Sequence, residues 1–167
     1  MSVPGISVID GKYMITMDLF PQQSKEFNQI FEFYEFLKSG RFATRRCKAC
    51  GAEPFPPRIL CPECFSTNME WVDWPTIGTV VELTEEEVGV PLGFGSPPLI
   101  HALIDLQGKK TFFVRIINCK KGQLKAGDRV KLSVFDVDPV PQEIGREVVS
   151  IDRVFYAFEP VNETLTS

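Results

Sequence analysis

The sequence predicts a mainly β chain led by a single helix, and three observations carry that expectation. Two Cys-x-x-Cys pairs, Cys47/Cys50 and Cys61/Cys64, stand with ten residues between them, a spacing that suits a metal-bound ribbon. Just before them, Phe27, Ile30, Phe31, Tyr34 and Leu37 recur at helical spacing. After Trp71 the pattern changes to short β-prone runs separated by turn residues.

Taken in order, residues 6–19 place Asp10-Gly11 between two short β-prone runs, a signal for a type I′ hairpin. A helix is expected from about Ser24 to Lys38, closed by Gly40. Phe33 and Phe36 fall off its apolar stripe. Apolar residues around so much of a helix imply burial on more than one side, against another chain or against the cysteine module. Five strands are expected near 78–87, 99–106, 111–118, 129–136 and 148–158, with a Gly/Pro-rich loop over 90–98. Five strands in about 85 residues read most naturally as a small barrel of the OB-fold kind, with a sandwich fragment as the alternative. The units expected are 1–40 (hairpin and amphipathic helix), 41–70 (ribbon), 71–160 (barrel) and 161–167 (a polar tail).

At 167 residues, 44% hydrophobic and 24% charged, the composition is that of soluble globular proteins. A chain of this size buries about 68–70% of its unfolded surface. No apolar run approaches the roughly 18 residues a membrane span needs. The opening MSVPGISVIDGKY lacks a charged region followed by an apolar one, so no signal peptide is expected. Five cysteines, four of them in two pairs, fit metal binding in a reducing compartment better than a disulfide framework. The cytoplasm is the expected location. A net charge of −4 speaks against nucleic acid, because phosphate neutralisation supplies most of that affinity. Residues 38–58 nevertheless carry Lys38, Arg41, Arg45, Arg46, Lys48 and Arg58 against Glu53 alone. Part of that excess offsets a metal–tetrathiolate; the rest could face a phosphorylated ligand or an acidic partner.

Each Cys-x-x-Cys pair can form a knuckle that places two thiolates on one ion. Four sulfurs then close a tetrahedral site with no position left for water or substrate. Such a site supplies folding energy and performs no chemistry. Zinc is the expected ion, although sulfur ligation alone also suits iron in a rubredoxin-like site. Cys119 reads as a packing thiol, His101 as a half-buried strand residue, and Glu85, Glu86 and Glu87 as a solvated charge run. No catalytic residue stands out.

The ribbon RCKACGAEPFPPRILCPEC, Trp71 followed by Gly78-Thr79-Val80, the segment Phe55-Pro56-Pro57-Arg58, and Leu124-x-x-Gly127-x-x-Val130 together resemble the zinc-ribbon/OB-fold proteins associated with acyl-CoA enzymes. The resemblance runs over roughly residues 24–158. It implies a rubredoxin-like zinc ribbon followed by a five-stranded OB-fold barrel. It also implies a non-catalytic small subunit beside a thiolase-fold catalytic subunit, closing a tunnel for coenzyme A and the acyl group. On that view Cys47, Cys50, Cys61 and Cys64 hold structural zinc, and a coenzyme A thioester is the substrate of the complex. Arg45, Arg46, Lys48 and Arg58 are candidates for the nucleotide phosphates of coenzyme A, and Phe33 and Phe36 for partner contact. The assembly expected by analogy is a two-plus-two hetero-oligomer. A freestanding acyl-CoA-binding protein and a single-stranded nucleic-acid module are the alternatives. The leading hairpin and the stretch VDPVPQEIGRE are additions beyond shorter relatives.

Overall fold

The computed structural model describes the backbone of residues 7–9, 12–14, 20–87, 98–144 and 147–161, and side chains within 20–87, 98–137, 150 and 152–161. Strands β1 (Ser7–Ile9) and β2 (Lys12–Met14) pair antiparallel with Ile9 opposite Lys12. The expected turn residues Asp10 and Gly11, the loop of 90–97 and the tail of 162–167 lie outside the described residues.

The helix α1 spans only Phe31–Lys38, shorter than the stripe predicts. Ahead of it the chain makes a single turn, in which the Asn28 N–H bonds the Ser24 carbonyl at 2.9 Å. The Asn28 side-chain oxygen then accepts the Ile30 N–H at 2.9 Å, and its amide donates to the Gln22 carbonyl. An Asn that satisfies nearby backbone groups in this way competes with helical bonding. Upstream, the buried Gln23 amide donates to the Val154 carbonyl at 2.6 Å and accepts the Val154 N–H at 3.0 Å, as an added strand residue would. Phe20 and Gln23 are thus held on the barrel, and residues 24–28 turn locally rather than winding into the helix.

The shorter helix also changes which face is buried. Phe33, Tyr34 and Leu37 are 2%, 3% and 1% exposed, whereas Phe27, expected in the stripe, is 55% exposed. Phe33 packs on Tyr34, Phe42, Phe55 and Tyr156. Phe36 meets Trp71 edge to face at 5.1 Å, with the Arg41 guanidinium 4.2 Å over its ring. Phe33 is therefore buried inside this chain, which removes it from its expected role in partner contact, whereas Phe36 is half-buried against Trp71 and Arg41. Their neighbours are the ribbon and the barrel.

Strands β3 (Ala43–Cys47) and β4 (Met69–Asp73) form an antiparallel pair that the sequence reading passed over. The expected boundary between ribbon and barrel at 70/71 falls inside β4. The remaining strands are β5 (Ile77–Glu86), β6 (Leu99–Asp105), β7 (Thr111–Ile116), β8 (Arg129–Ile144) and β9 (Glu147–Pro160). They close into a barrel in the order β5-β6-β7-β9-β8, with β5 also bonded to β8. The β7–β9 contact is parallel, at Ile116 opposite Phe158. The closed five-stranded barrel excludes the sandwich alternative. The stretch 137–147, expected as an insert, is built mostly of the outer arms of the β8–β9 hairpin, which pair as far as Ile144 opposite Glu147. At Gly78 a Cβ would lie 3.0 Å from the Asp105 carbonyl oxygen, so the close approach of β5 to β6 favours glycine there.

Helix, ribbon edge and barrel share one core, running from Phe33, Tyr34 and Leu37 through Phe42 and Trp74 to Val80, Ile104, Val130 and Phe158. Phe42, 1% exposed, touches the rings of Phe33, Phe55, Trp74, Phe112, Tyr156 and Phe158. Among the described residues no helix is long and apolar enough to cross a membrane. Phe42→Ala is expected to cost about 3–5 kcal/mol. Denaturant titration followed by both Trp fluorescence and far-UV circular dichroism should show one coincident transition at a lower midpoint.

Candidate metal centre

The ribbon positions its four cysteines from two loops that repeat each other. Strand β3 delivers Cys47 directly into the first knuckle, and the second knuckle returns the chain to β4. In the first, the Cys47 N–H donates to the Ala52 carbonyl at 2.8 Å and the Gly51 N–H to the Cys47 carbonyl at 2.8 Å. In the second, the Cys61 N–H donates to Ser66 at 3.0 Å and the Phe65 N–H to Cys61 at 3.0 Å. The residue after each pair has positive φ: Gly51 at 77° and Phe65 at 57°. Glycine takes that conformation without strain, whereas for a bulky residue it is an outlier.

The four sulfurs lie within 4.8 Å of one another. Two pairs that bridge the knuckles, Cys47–Cys64 and Cys50–Cys61, are 3.5 Å apart. Sulfurs bound at about 2.3 Å around a tetrahedral ion would be spaced roughly 3.8 Å apart, so the residues fit a four-sulfur ion. Cys47 and Cys61 are buried, while Cys50 and Cys64 face solvent. Burial alone would raise the Cys47 thiol, but the N–H groups of Cys50 and Ala49 and the neighbouring thiols bring it down to about 6. The Ala52 N–H pulls the Cys50 thiol down, yet the Cys64 and Cys61 sulfurs and burial drive it up to about 12. The sulfurs stand close enough that they titrate as one set, and a charge on one opposes a charge on the next. A divalent cation resolves that conflict, because binding requires thiolates and releases the protons. The N–H groups aimed at sulfur are the surroundings that orient metal ligands.

The segment between the pairs ties this centre to the barrel. Glu53, its side chain 15% exposed, accepts the Trp74 indole N–H at 2.7 Å and the Arg46 guanidinium at 2.8 Å. Lys109 stands 3.5 Å away. Burial raises the Glu53 carboxyl, but Trp74, Arg46 and Lys109 together hold it below the usual carboxylate range. Two residues on, Phe55 stacks on Trp74 at 5.3 Å and meets Phe42, Phe112 and Tyr156. On the helix side, Glu32 accepts the Trp71 indole N–H at 2.9 Å, and Arg45 lies 4.8 Å over the Trp71 ring.

The cations expected to meet phosphate do not converge. Arg45 is 3.5 Å from Glu32, Arg46 is 2.7 Å from Glu53, and Lys48 is 3.4 Å from Glu70. Arg45 and Arg46 are also successive residues of β3, so they point to opposite faces. Arg58 is exposed, and among the described residues no ion pair engages it. His101 is half-buried and stacks on Phe113 at 5.1 Å. Burial lowers its pKa, with Glu86 opposing and Arg115 reinforcing that shift. Cys119 packs against the core with its thiol pushed up by burial and by Glu85, which leaves it inert at neutral pH. Glu85 accepts the Gly122 N–H at 2.7 Å, and Glu87 pairs with Lys121 at 2.8 Å. Sequence reasoning missed Glu53, Glu32 and Trp74, which carry no spacing signal. It also missed Phe65, which does: it follows Cys64 as Gly51 follows Cys50.

A four-cysteine ribbon built onto a closed five-stranded barrel is the class of protein that this fold and site define. Residues 35–70 match the family model described as the ChsH2 rubredoxin-like zinc ribbon domain, which identifies the cysteine module as a zinc ribbon. No curated protein matches the chain. Among solved structures it is similar to a chain of the Ltp2-ChsH2(DUF35) aldolase, at 20% identity and a TM-score of 0.57, over 77% of this chain and 91% of that one. A DUF35-family protein of unknown function from Sulfolobus solfataricus matches at 22% identity and a TM-score of 0.44, over 60% and 74% of the two chains. The similarity to the aldolase chain is one of fold.

Cys61→Ser is expected to abolish stoichiometric zinc binding and to unfold the ribbon, since that binding energy is folding energy. Retention of one zinc per chain at normal stability, by atomic emission and thermal melting, would show that the ligand set is wrong. Glu53→Gln should cost about 1–3 kcal/mol at neutral pH, by breaking charge-assisted hydrogen bonds. The sign with pH follows from the depressed carboxyl. The stability difference between native chain and variant is full above the ordinary Glu value of about 4.3 and shrinks as pH falls through the folded value. Urea titrations of both proteins across that range measure it.

Proposed function

We propose that this chain is a non-catalytic, zinc-binding accessory subunit of a thiolase-type acyl-CoA C-acyltransferase, required for its partner's activity and lining the coenzyme A and acyl tunnel. The observation that carries the reading is the tetrathiolate centre. Its four donors saturate an ion, and the chain between them is committed to the barrel core. The metal then holds a shape and has no open position for substrate. A solved chain of similar fold is named as part of an aldolase together with Ltp2, which supports a role beside an enzyme subunit. The thiolase identity of the partner and the two-plus-two stoichiometry come from the family resemblance.

In this reading a thiolase-fold subunit supplies the cysteine that accepts the acyl group, and the thioester lies between the two chains. Because Arg45, Arg46 and Lys48 are already engaged by carboxylates, most of the nucleotide contact falls to the partner. The extended β8–β9 hairpin and the leading β1–β2 pair offer extra wall for an enlarged acyl group. An aromatic one, as handled by a benzoylsuccinyl-CoA thiolase, is a suitable candidate.

A second reading draws on Phe113, 62% exposed and stacked on His101 on the second and third barrel strands. That is the face on which OB-folds bind single strands. Its distinguishing mark is affinity that falls steeply with salt.

Purified alone, the chain should show no thiolytic activity, and pull-down from its native cytosol should bring down a thiolase-fold protein in equal amount. Assayed as a pair, the two should cleave acyl-CoA thioesters that neither cleaves alone. Recovery of the chain alone, or with nucleic acid, would overturn the accessory reading.

A further inference from the structure

With Phe33 buried and Phe36 half-covered by Trp71 and Arg41, the more exposed apolar surface lies elsewhere. Adjoining the zinc site at Cys61, a groove of about 610 Å³ runs between the segment before α1 and the second knuckle, walled by Ile30, Pro57, Arg58, Ile59, Leu60 and Phe65. Ile59, Leu60 and Phe65 are 44%, 41% and 73% exposed, and they belong to the small set of large apolar side chains left in solvent among the described residues. Exposed apolar groups gathered in one groove mark an interaction site, whereas single ones scattered over a surface do not.

The second knuckle sharpens the point. Both knuckles are built alike, and both need positive φ at the residue after the second cysteine, yet the first uses Gly51 and the second uses Phe65. A ring at this position strains the backbone and gains little burial in return. Among the described residues the ring has no aromatic partner, and it stands 73% exposed. The groove's charge is equally one-sided: Arg58 is its single charged wall residue, with no ion pair among the described residues. Glu63, inside the second pair, is exposed but not part of the wall.

We propose that this groove is the docking site for the catalytic partner subunit. A segment of that partner seats an apolar side chain against Ile59, Leu60 and Phe65 and brings a carboxylate to Arg58. The inference rests on the accessory-subunit reading and deepens it, by moving the interface from the helix to the ribbon tip. An aromatic anchor beside an arginine is the combination in which binding energy concentrates at protein interfaces. Zinc supports the contact indirectly, by holding the knuckle that presents Phe65.

The test uses the full chain and the thiolase-fold subunit that co-purifies with it, each produced separately and combined. Phe65→Gly should leave zinc content at one per chain and the unfolding midpoint of the isolated chain unchanged or raised, because glycine relaxes the positive φ. It should nonetheless weaken partner binding by about tenfold or more, read by calorimetry. Arg58→Glu should weaken it similarly, and Val81→Thr, on the barrel, should not. Hydrogen exchange should show protection of residues 58–65 on complex formation. If the complex forms and both groove variants bind as tightly as the native chain, the groove assignment is wrong and the accessory reading stands. If the native chain forms no stoichiometric complex with a thiolase-fold subunit, the accessory reading fails and the groove proposal fails with it.

Discussion

The ten residues between the two cysteine pairs carry two obligations at once, and the rest of the structure depends on their meeting both. They must span from one knuckle to the other so that four sulfurs converge. They must also place Glu53 under Trp74 and Phe55 among the rings of Phe42, Trp74, Phe112 and Tyr156. A ribbon in which these residues looped out to solvent could still bind an ion, but it would be tethered to the barrel only by chain. An ion held by the four sulfurs would close a loop whose middle is part of the core. Closing the metal site and packing the barrel end are therefore one cooperative event, with helix α1 sealing it through Phe33 and Tyr34.

The electrostatics follow from the same arrangement. The cations of residues 38–58 look in the sequence like an anion site. In three dimensions most are shared out to single acids: Arg41 to Asp73, Arg45 to Glu32, Arg46 to Glu53 and Lys48 to Glu70. Most of these pairs are partly solvated, and exposed ion pairs of this kind contribute about 1 kcal/mol or less each. Glu53 differs, because it is the least exposed of these acids and receives the indole N–H as well. It fixes the rotamer of Trp74, whose ring is Phe55's stacking partner.

The two knuckles show where folding constraints stop and other constraints begin. Their backbone hydrogen bonds match closely, so the geometry each residue must adopt is the same. The first knuckle meets that geometry with glycine and the second with a solvent-facing phenylalanine. A side chain that strains its own backbone while standing in water finds its use outside the chain, and the groove beside it carries Arg58, which no ion pair engages among the described residues. The surface open for recognition is thus at the ribbon tip, beside the four converging cysteines.

The cysteine ligands were fully legible in the sequence, because metal coordination reduces to residue type and short spacing. The barrel was legible too. Its strands carry buried residues in alternation, and Gly78 and the Leu124-x-x-Gly127-x-x-Val130 turn mark its closures. The extent of the helix was decided by tertiary structure, since Gln23 and Asn28 spend their amides on Val154 and on the local backbone. Which face of that helix is buried was decided there as well. Phe33 lies off the predicted stripe, but it points at a core formed by residues up to Phe158, far along the chain. The fate of the cations was likewise invisible to spacing, because each acid that neutralises one comes from another strand, loop or helix. Periodicity reports what a segment can bury by itself; which neighbour it meets depends on contacts across the whole chain, and those set the shape of the surface that is left.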